Sequence, residues 1–182
     1  AEVEGIDSAI ASQAQIAVEL ADSVIFVVDA LTGLTQTDER IVKLLRQAGK
    51  PVTVAVNKID DQISEYMAAE FWKLGLGEPY PISAMHGRGV GDLLDEAVAQ
   101  MKSAEKTSGF LTPSHLRRVA LVGRPNVGKS SLLNQLSHSE RSVVNELAGT
   151  TRDPVDEIVT IDGEDYLFID TAGIKRRQHK LS

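Results

Sequence analysis

Short apolar runs alternate with amphipathic stretches along most of this chain, and this alternation constrains the fold more than any other feature. Ser23–Asp29 and 52–56 are apolar runs of strand length, whereas 6–21, 36–48 and 90–101 repeat apolar residues at helical spacing. Apolar strands separated by amphipathic helices are typical of βα units, in which helices cover both faces of a parallel sheet. We therefore predict an α/β fold with α/β/α layers.

The same pattern divides the chain into two segments. The remaining predicted elements are helices 64–74 and 129–136 and strands 80–82, 118–122, 155–161 and 166–169. Periodicity is lost at 102–116, which is rich in Ser, Thr, Gly and Pro, so we predict a linker there. The linker would separate a first segment, 1–101, from a second segment, 117–182.

Several residues are predicted to have local structural roles. Thr35 with Asp38 can form a capping box at the start of a helix, and Asp162 begins an Asp-Gly hairpin turn. Asp29 ends a strand and is expected to be a turn or cap residue. Phe71 and Trp72 lie on a predicted helix and are expected to be packing residues.

Composition and charge exclude several classes of protein. Cysteine is absent, so disulfide frameworks, thiolate metal sites and cysteine nucleophiles are excluded. The longest apolar run, 24–28, is far shorter than the ~20 residues of a transmembrane helix, so we expect no membrane partner. No secretory signal is visible, and we expect a cytoplasmic protein. The net charge of −7 divides into −9 over 1–101 and +2 over 102–182, which argues against a general nucleic-acid-binding surface on the first segment.

Residues 123–130 match the phosphate-binding loop G-x-x-x-x-G-K-[ST] at every position. Its glycines let the backbone curl, so that N–H groups converge on an anion at a helix N-terminus. The Lys129 ammonium can then reach the β- and γ-phosphates, and the Ser130 hydroxyl can ligate Mg²⁺. The predicted phosphate-binding residues are Gly123, Arg124, Pro125, Asn126, Val127, Gly128, Lys129, Ser130 and Ser131.

Asn57, Lys58 and Asp60 lie at the carboxyl end of a predicted strand, where open α/β sheets bind ligands. The Asp60 carboxylate can accept both the N1–H and the 2-amino group of guanine, a pair that adenine cannot offer. The Asn57 amide can bond guanine O6 or N7 or tie neighbouring loops together, and the Lys58 stem can lie along the base. Ser83, Ala84 and Met85 follow the next predicted strand, and the Ala84 N–H can face guanine O6.

Two further stretches carry groups suited to Mg²⁺ and the γ-phosphate. Asp170 follows a strand and can hold Mg²⁺ through water, and the Gly173 N–H can reach the γ-phosphate. Thr150 and Thr151 lie between a helix and a strand, where a loop can lend one threonine hydroxyl to Mg²⁺. We therefore expect GTP or GDP together with Mg²⁺ as ligands.

The sequence resembles the translation-factor-related P-loop GTPases, and most of all the Der (EngA) family of double GTPases. The stretches that carry the resemblance are VIFVVDALTGLTQTDERI, VNKID, ISAMHGRGVGDLLD, VALVGRPNVGKSSLLNQL, AGTTRDPVD and FIDTAGIKRR. The resemblance implies GTP hydrolysis in assembly of the large ribosomal subunit, with that subunit or its rRNA as partner. It also implies that 1–101 is the C-terminal half of a first G domain and 117–182 the N-terminal half of a second.

The resemblance further implies a set of catalytic residues and a monovalent cation. Asn126 matches the asparagine with which potassium-activated members of the superfamily hold K⁺ beside the phosphates. Ile174 stands where small GTPases place a water-orienting glutamine, so the implied hydrolysis is aided by Mg²⁺ and K⁺. The catalytic residues implied in this way are Lys129, Asn126, Thr150, Thr151 and Gly173.

The order of the motifs leaves alternatives open. Base recognition precedes the phosphate loop, as in circularly permuted GTPases of the RsgA type; a fragment that binds GDP or a partner without hydrolysis is the other alternative. The fold implied by the resemblance has a six-stranded, mostly parallel sheet of order 2-3-1-4-5-6, and this chain carries strands 4–6 before strands 1–3. We therefore predict that strand 118–122 pairs in parallel with Ser23–Asp29, giving one circularly permuted composite G domain in a monomer or a domain-swapped dimer.

Overall fold

The computed structural model of the chain describes residues 2–108, 116–139 and 156–171. Every strand and helix expected from the sequence is present, although α1 begins four residues earlier, α3 ends seven residues later and one helix is a 3₁₀ helix. The elements are α1 (Glu2–Leu20), β1 (Ser23–Asp29), α2 (Gln36–Ala48), β2 (Val52–Asn57), a 3₁₀ helix (Ile63–Leu74), β3 (Pro79–Pro81), α3 (Val90–Ser108), β4 (Arg117–Val122), α4 (Lys129–Ser137), β5 (Glu157–Ile161) and β6 (Glu164–Asp170). Within those ranges, the search for a helix long and apolar enough to cross a membrane finds none.

One six-stranded sheet of order β3-β2-β1-β4-β6-β5 joins the two segments of the chain. All neighbouring strands are parallel except β5 and β6, which form an antiparallel hairpin. β4 pairs with β1 in the register Ser23↔Val119 to Phe26↔Val122. The predicted pairing and the order implied by the resemblance are both confirmed, and the pairing forms within a single chain. A domain-swapped dimer would make the same pairs between two chains, and its doubled mass in solution would identify it.

The burial of β1 explains why it occupies the centre of the sheet. All of its residues are buried, and successive side chains point to opposite faces. Phe26 and Val28 pack in one core with residues of α1 and α2, whereas Ile25 and Val27 pack in a second core with residues of α3 and α4. A strand that is apolar on both faces must be covered on both, so helices lie on either side of it.

The structure corrects the start of the predicted linker. Helix α3 continues to Ser108, so 102–108 are helical, and 109–115 lie outside the described residues. The end of α3 is held by ion pairs to the second segment: Arg117 Nε lies 2.6 Å from Glu105 Oε1, and Lys102 Nζ lies 3.6 Å from Glu164 Oε1. These contacts are remote in sequence, and apolar periodicity carries no information about them.

Both local turn signals are confirmed. The Thr35 hydroxyl oxygen accepts a hydrogen bond from the Asp38 N–H at 3.2 Å, and the Asp38 carboxylate accepts one from the Thr35 N–H at 3.1 Å. This reciprocal capping box starts α2. Asp162 and Gly163 have φ values of 52° and 80°, as a tight two-residue hairpin between β5 and β6 requires.

The helix predicted at 64–74 is a 3₁₀ helix. Its buried side chains, Ala68, Phe71 and Leu74, recur every three residues, which is the repeat of a 3₁₀ helix. Phe71 packs in the core as expected. The same expectation was wrong for Trp72. Trp72 follows Phe71 directly, faces outward and is 57% exposed.

Candidate functional site

A cleft of about 710 Å³ opens beyond the carboxyl ends of the parallel strands. Its lining comes from both segments of the chain. The predicted site residues that line it are Asn57, Lys58, Asp60, Ser83, Met85, Gly123, Pro125, Asn126, Gly128, Lys129, Ser130, Ser131 and Asp170. The β1–β4 pairing thus brings the base-recognition and phosphate-binding motifs to one cavity. Thr150, Thr151 and Gly173 lie outside the described residues.

The phosphate-binding loop runs from the end of β4 to the start of α4. Gly123 passes so close to β1 that an added Cβ would lie 2.5 Å from the Val27 carbonyl oxygen. Lys129 folds back over the loop and donates hydrogen bonds to the carbonyl oxygens of Gly123 at 2.5 Å and Arg124 at 3.0 Å. Burial lowers the pKa of Lys129, and nearby Asp170 opposes that shift. The loop therefore holds a partly desolvated ammonium at a helix N-terminus, an arrangement suited to a phosphate.

Ser130 and Asp170 form the oxygen pair expected of a Mg²⁺ site. The Ser130 hydroxyl donates to Asp170 Oδ2 at 3.2 Å, and both residues line the cleft. Asp170 ends β6, which lies beside β4, and Ser130 lies in the first turn of α4, which the phosphate-binding loop joins to β4. A hydroxyl and a carboxylate are hard oxygen ligands, the type that Mg²⁺ prefers. The residues present thus fit the predicted metal.

Asn57 ties three loops together. Its buried amide donates from Nδ2 to the Val127 carbonyl oxygen at 2.8 Å and accepts at Oδ1 from the Ala84 N–H at 2.9 Å. Of the two roles considered for Asn57, the structure supports the tie between loops. The Ala84 N–H points to Asn57 and Ala84 is not among the lining residues, so its predicted contact with guanine O6 stays a prediction.

Asp60 presents its carboxylate to the cleft. Its side chain is 60% exposed, and Oδ1 accepts a hydrogen bond from the Ser83 hydroxyl at 2.7 Å. Ser83 therefore orients Asp60, a role that the sequence did not indicate. Met85 is 79% exposed beside them. A carboxylate fixed at one oxygen and open to the cavity can accept a pair of N–H donors from a base.

Lys58 is anchored by a buried carboxylate that sequence reasoning did not connect with it. Its Nζ donates to Asp29 Oδ2 at 2.6 Å, while Asp29 Oδ1 accepts from the N–H of Leu31 at 2.8 Å and of Thr32 at 3.2 Å. Burial raises the pKa of Asp29, but the hydrogen bonds from Lys58 and the backbone outweigh it and lower the pKa below its ordinary value. Asp29 is thus the predicted turn residue and also positions the Lys58 stem at the cleft.

Arg124 departs from the predicted site. It is not among the lining residues, and its Nε lies 3.7 Å from Oδ2 of Asp38, a fully buried residue at the start of α2. Burial raises the pKa of Asp38. Hydrogen bonds from Thr35 and the positive charge of Arg124 reduce this rise but do not cancel it. The Arg124 side chain therefore links the phosphate-binding loop to the first segment through Asp38. Its backbone carbonyl accepts a hydrogen bond from Lys129.

Helix α1 supplies lining residues that were not predicted as site residues from the sequence. Ile10, Gln13 and Ala14 face the cleft. No sequence signal identifies them, because their place depends on how α1 packs against β4 and α2.

Gly128 provides a test of how tightly the loop packs. It has φ 108°, and an added Cβ would lie 2.0 Å from Asn57 Nδ2, whereas Gly163, with φ 80°, has open space around it. Gly163→Ala should cost about 1 kcal/mol of unfolding free energy through backbone strain alone. Gly128→Ala should cost 1–2 kcal/mol more, of the order expected for overpacking. Urea unfolding measures both, and equal losses would contradict the close contact with Asn57.

Comparison with known families gives two matches, one in each segment of the chain. Residues 118–182 match the family described as 50S ribosome-binding GTPase, and residues 11–103 match the elongation factor Tu GTP binding domain. The second match covers the base-recognition residues, and the first begins at the strand before the phosphate-binding loop.

Curated relatives match across both segments. The chain is 81% identical over all of its residues to the GTPase Der of Bifidobacterium longum, of which it covers 39%. It is 54% identical to the GTPase Der of Streptomyces coelicolor and 56% identical to that of Leifsonia xyli, with 98% of this chain aligned in each case. The chain covers 38% and 37% of those two proteins, so it spans less than two fifths of the length of these relatives.

Proposed function

The chain belongs to the Der family of translation-factor-related GTPases, and we propose that its cleft binds GTP or GDP with Mg²⁺ and that the protein of which it forms a part hydrolyses GTP. The observation that carries the proposal is the joint lining of one cleft by Asp60 and Lys129. A carboxylate suited to guanine and an ammonium suited to phosphate come from segments that are far apart in the chain. Because both line one cavity, the cleft offers a negative group for the base and a positive group for the phosphates of a guanine nucleotide.

The metal and cation parts of the proposal rest on three residues. Ser130 and Asp170 would hold Mg²⁺, which when bound neutralises phosphate charge and polarises the γ-phosphoryl group. Asn126 lines the same cleft with φ 68°, and we assign it to K⁺ on the family resemblance. Lys129 binds and orients the phosphates, while α4 directs its N-terminal N–H groups toward them.

The proposed cellular role is supported by the family resemblance. The family model that matches the second segment is described as a 50S ribosome-binding GTPase, which supports the large ribosomal subunit or its rRNA as partner. A role in assembly of that subunit and a cytoplasmic location accompany this proposal. Hydrolysis, ribosome binding and location concern the whole protein, of which this chain corresponds to a part.

Asp60→Asn tests the assignment of the base. The amide can accept from only one of the two guanine N–H groups at its oxygen, and it offers an N–H that suits the 2-oxo group of xanthine. We expect GDP affinity to fall about 10- to 100-fold and XDP affinity to rise, since a hydrogen bond to a charged group contributes about 1.5–3 kcal/mol. Competition against a fluorescent nucleotide measures both affinities.

Asp61→Asn is the matched control, because Asp61 is exposed and caps the Ser64 N–H at 2.8 Å without lining the cleft. It should leave the GDP-to-XDP preference as it is. An unchanged preference in Asp60→Asn would remove Asp60 from the base site.

A further inference from the structure

The outer side of the 3₁₀ helix carries a row of exposed apolar side chains. Ile63, Tyr66 and Trp72 are 86%, 75% and 57% exposed, and Ala69 is exposed between the last two. In a 3₁₀ helix, residues three apart eclipse one another and each residue rises ~2.0 Å, so these four side chains form a straight row about 18 Å long. We call this row the apolar stripe.

Packing among the residues that the structure describes does not explain the apolar stripe. The opposite side of the same helix is buried through Ala68, Phe71 and Leu74, so the fold already has the apolar face that it needs. Single exposed apolar residues are ordinary on protein surfaces, but contiguous ones mark interaction sites. The 3₁₀ helix that carries the stripe packs against β3, the edge strand of the sheet.

An acidic groove adjoins the apolar stripe. Its volume is about 740 Å³, and the carboxylates that line it belong to Glu65, Glu78, Asp92, Asp95 and Glu96. Arg88 is the one basic residue among the lining residues, and it pairs with Glu65 at 2.9 Å. Burial together with the carboxylates of Glu96 and Glu78 raises the pKa of Tyr80, at the groove wall, to about 12. Glu65, which lines the groove, directly precedes Tyr66 of the apolar stripe on the 3₁₀ helix, so the groove and the stripe meet at this helix.

We propose that the apolar stripe and the acidic groove together bind a basic amphipathic polypeptide segment. Its apolar side chains would cover Ile63, Tyr66 and Trp72, and its Lys or Arg side chains would enter the groove. Charge complementarity selects this occupant, since the groove carries five carboxylates against one guanidinium. The net charge of −9 on residues 1–101 disfavours a nucleic acid, whose phosphates would be repelled. The groove and the nucleotide cleft have no lining residue in common, so this is a second site.

Trp72 gives a direct test, because it is the single tryptophan of the chain. The probe is a synthetic amphipathic helical peptide made of Lys and Leu, without tryptophan, titrated into the whole chain. We expect a saturable blue shift of the Trp72 emission as the indole leaves water, with binding that weakens as salt is added. A peptide of the same length with Glu in place of each Lys should produce no shift. A missing blue shift, or equal binding of the acidic peptide or of an RNA oligonucleotide, would overturn the proposal.

Paired variants separate the two parts of the surface. The double variant Ile63→Ser, Tyr66→Ser removes apolar area but keeps the reporter, and Asp95→Asn, Glu96→Gln removes two groove charges. Each should weaken the basic peptide about tenfold, whereas the control Glu19→Gln, Leu20→Ser on α1 should leave its affinity within about twofold. All these positions are at least partly exposed, and thermal unfolding monitored by circular dichroism verifies that each variant is folded. If either double variant is folded and binds the basic peptide with unchanged affinity, the stripe or the groove that it alters has no role in binding, which would contradict the proposal.

Discussion

Lys129→Met is expected to weaken GDP binding about 1000-fold, which is about 4 kcal/mol, without lowering the stability of the nucleotide-free protein. Loss of binding is expected because the ammonium, positioned by the Gly123 and Arg124 carbonyl oxygens, is the charge proposed to face the phosphates. Stability is kept because burial lowers the pKa of Lys129, so at neutral pH the folded state is penalised for holding it charged. Methionine retains the length of the stem and removes that penalty. Titration of a fluorescent GDP analogue and urea unfolding measure the two effects.

Lys43→Met on α2 is the matched control, because Lys43 is exposed and lies away from the cleft lining. It should change neither GDP affinity nor the free energy of unfolding. If Lys129→Met bound GDP with ordinary affinity, the phosphates would not be held by this loop.

Asn57→Ala is expected to lower the free energy of unfolding by about 4 kcal/mol. The substitution leaves two buried backbone groups, the Val127 carbonyl and the Ala84 N–H, without their partner, and each such loss costs ~1–3 kcal/mol. Because Asn57 lies in the first segment and Val127 in the second, the loss falls on the contact that joins them. GDP affinity should fall as well, since the loops at either end of the cleft lose their common tie.

Asn134→Ala on α4 serves as the comparison for Asn57→Ala, because Asn134 is exposed on a helix of the same site. Its effect on urea unfolding should be below ~0.5 kcal/mol. Equal destabilisation by the two substitutions would mean that the Asn57 amide contributes nothing specific.

The topology could be predicted from the sequence because it follows from strong, repetitive signals. Ser23–Asp29 is apolar at nearly every position, and such a strand belongs at the centre of a sheet covered on both faces. The resemblance to G domains then supplied the strand order that the structure confirms. The end of α3 could not be predicted in this way, since 102–108 have weak apolar periodicity and are held by ion pairs with Arg117 and Glu164.

Site residues could be predicted where a sequence motif determines both the backbone conformation and the side-chain position. They were harder to predict where a side chain contacts a residue that is distant in the sequence. The phosphate-binding loop, Asp60 and Asp170 line one cleft as the motifs indicated. Arg124 belongs to the same loop motif, yet its side chain leaves the cleft because buried Asp38 offers a negative charge nearby. Trp72 was expected to be a packing residue because it lies on a predicted helix, but in the 3₁₀ helix it faces outward.

The pairing of β1 with β4 makes the centre of the sheet slow to form when this chain folds. Arg118 donates to Asp22 across 96 residues of chain, so the central contacts have high sequence separation and a large closure entropy. Until β4 pairs with β1, the edge of β1 that faces β4 is an apolar strand with unpaired backbone groups. Such an edge is a template for aggregation. The refolding yield of this chain from urea should therefore fall as the protein concentration rises, because pairing of that edge between chains competes with its pairing to β4.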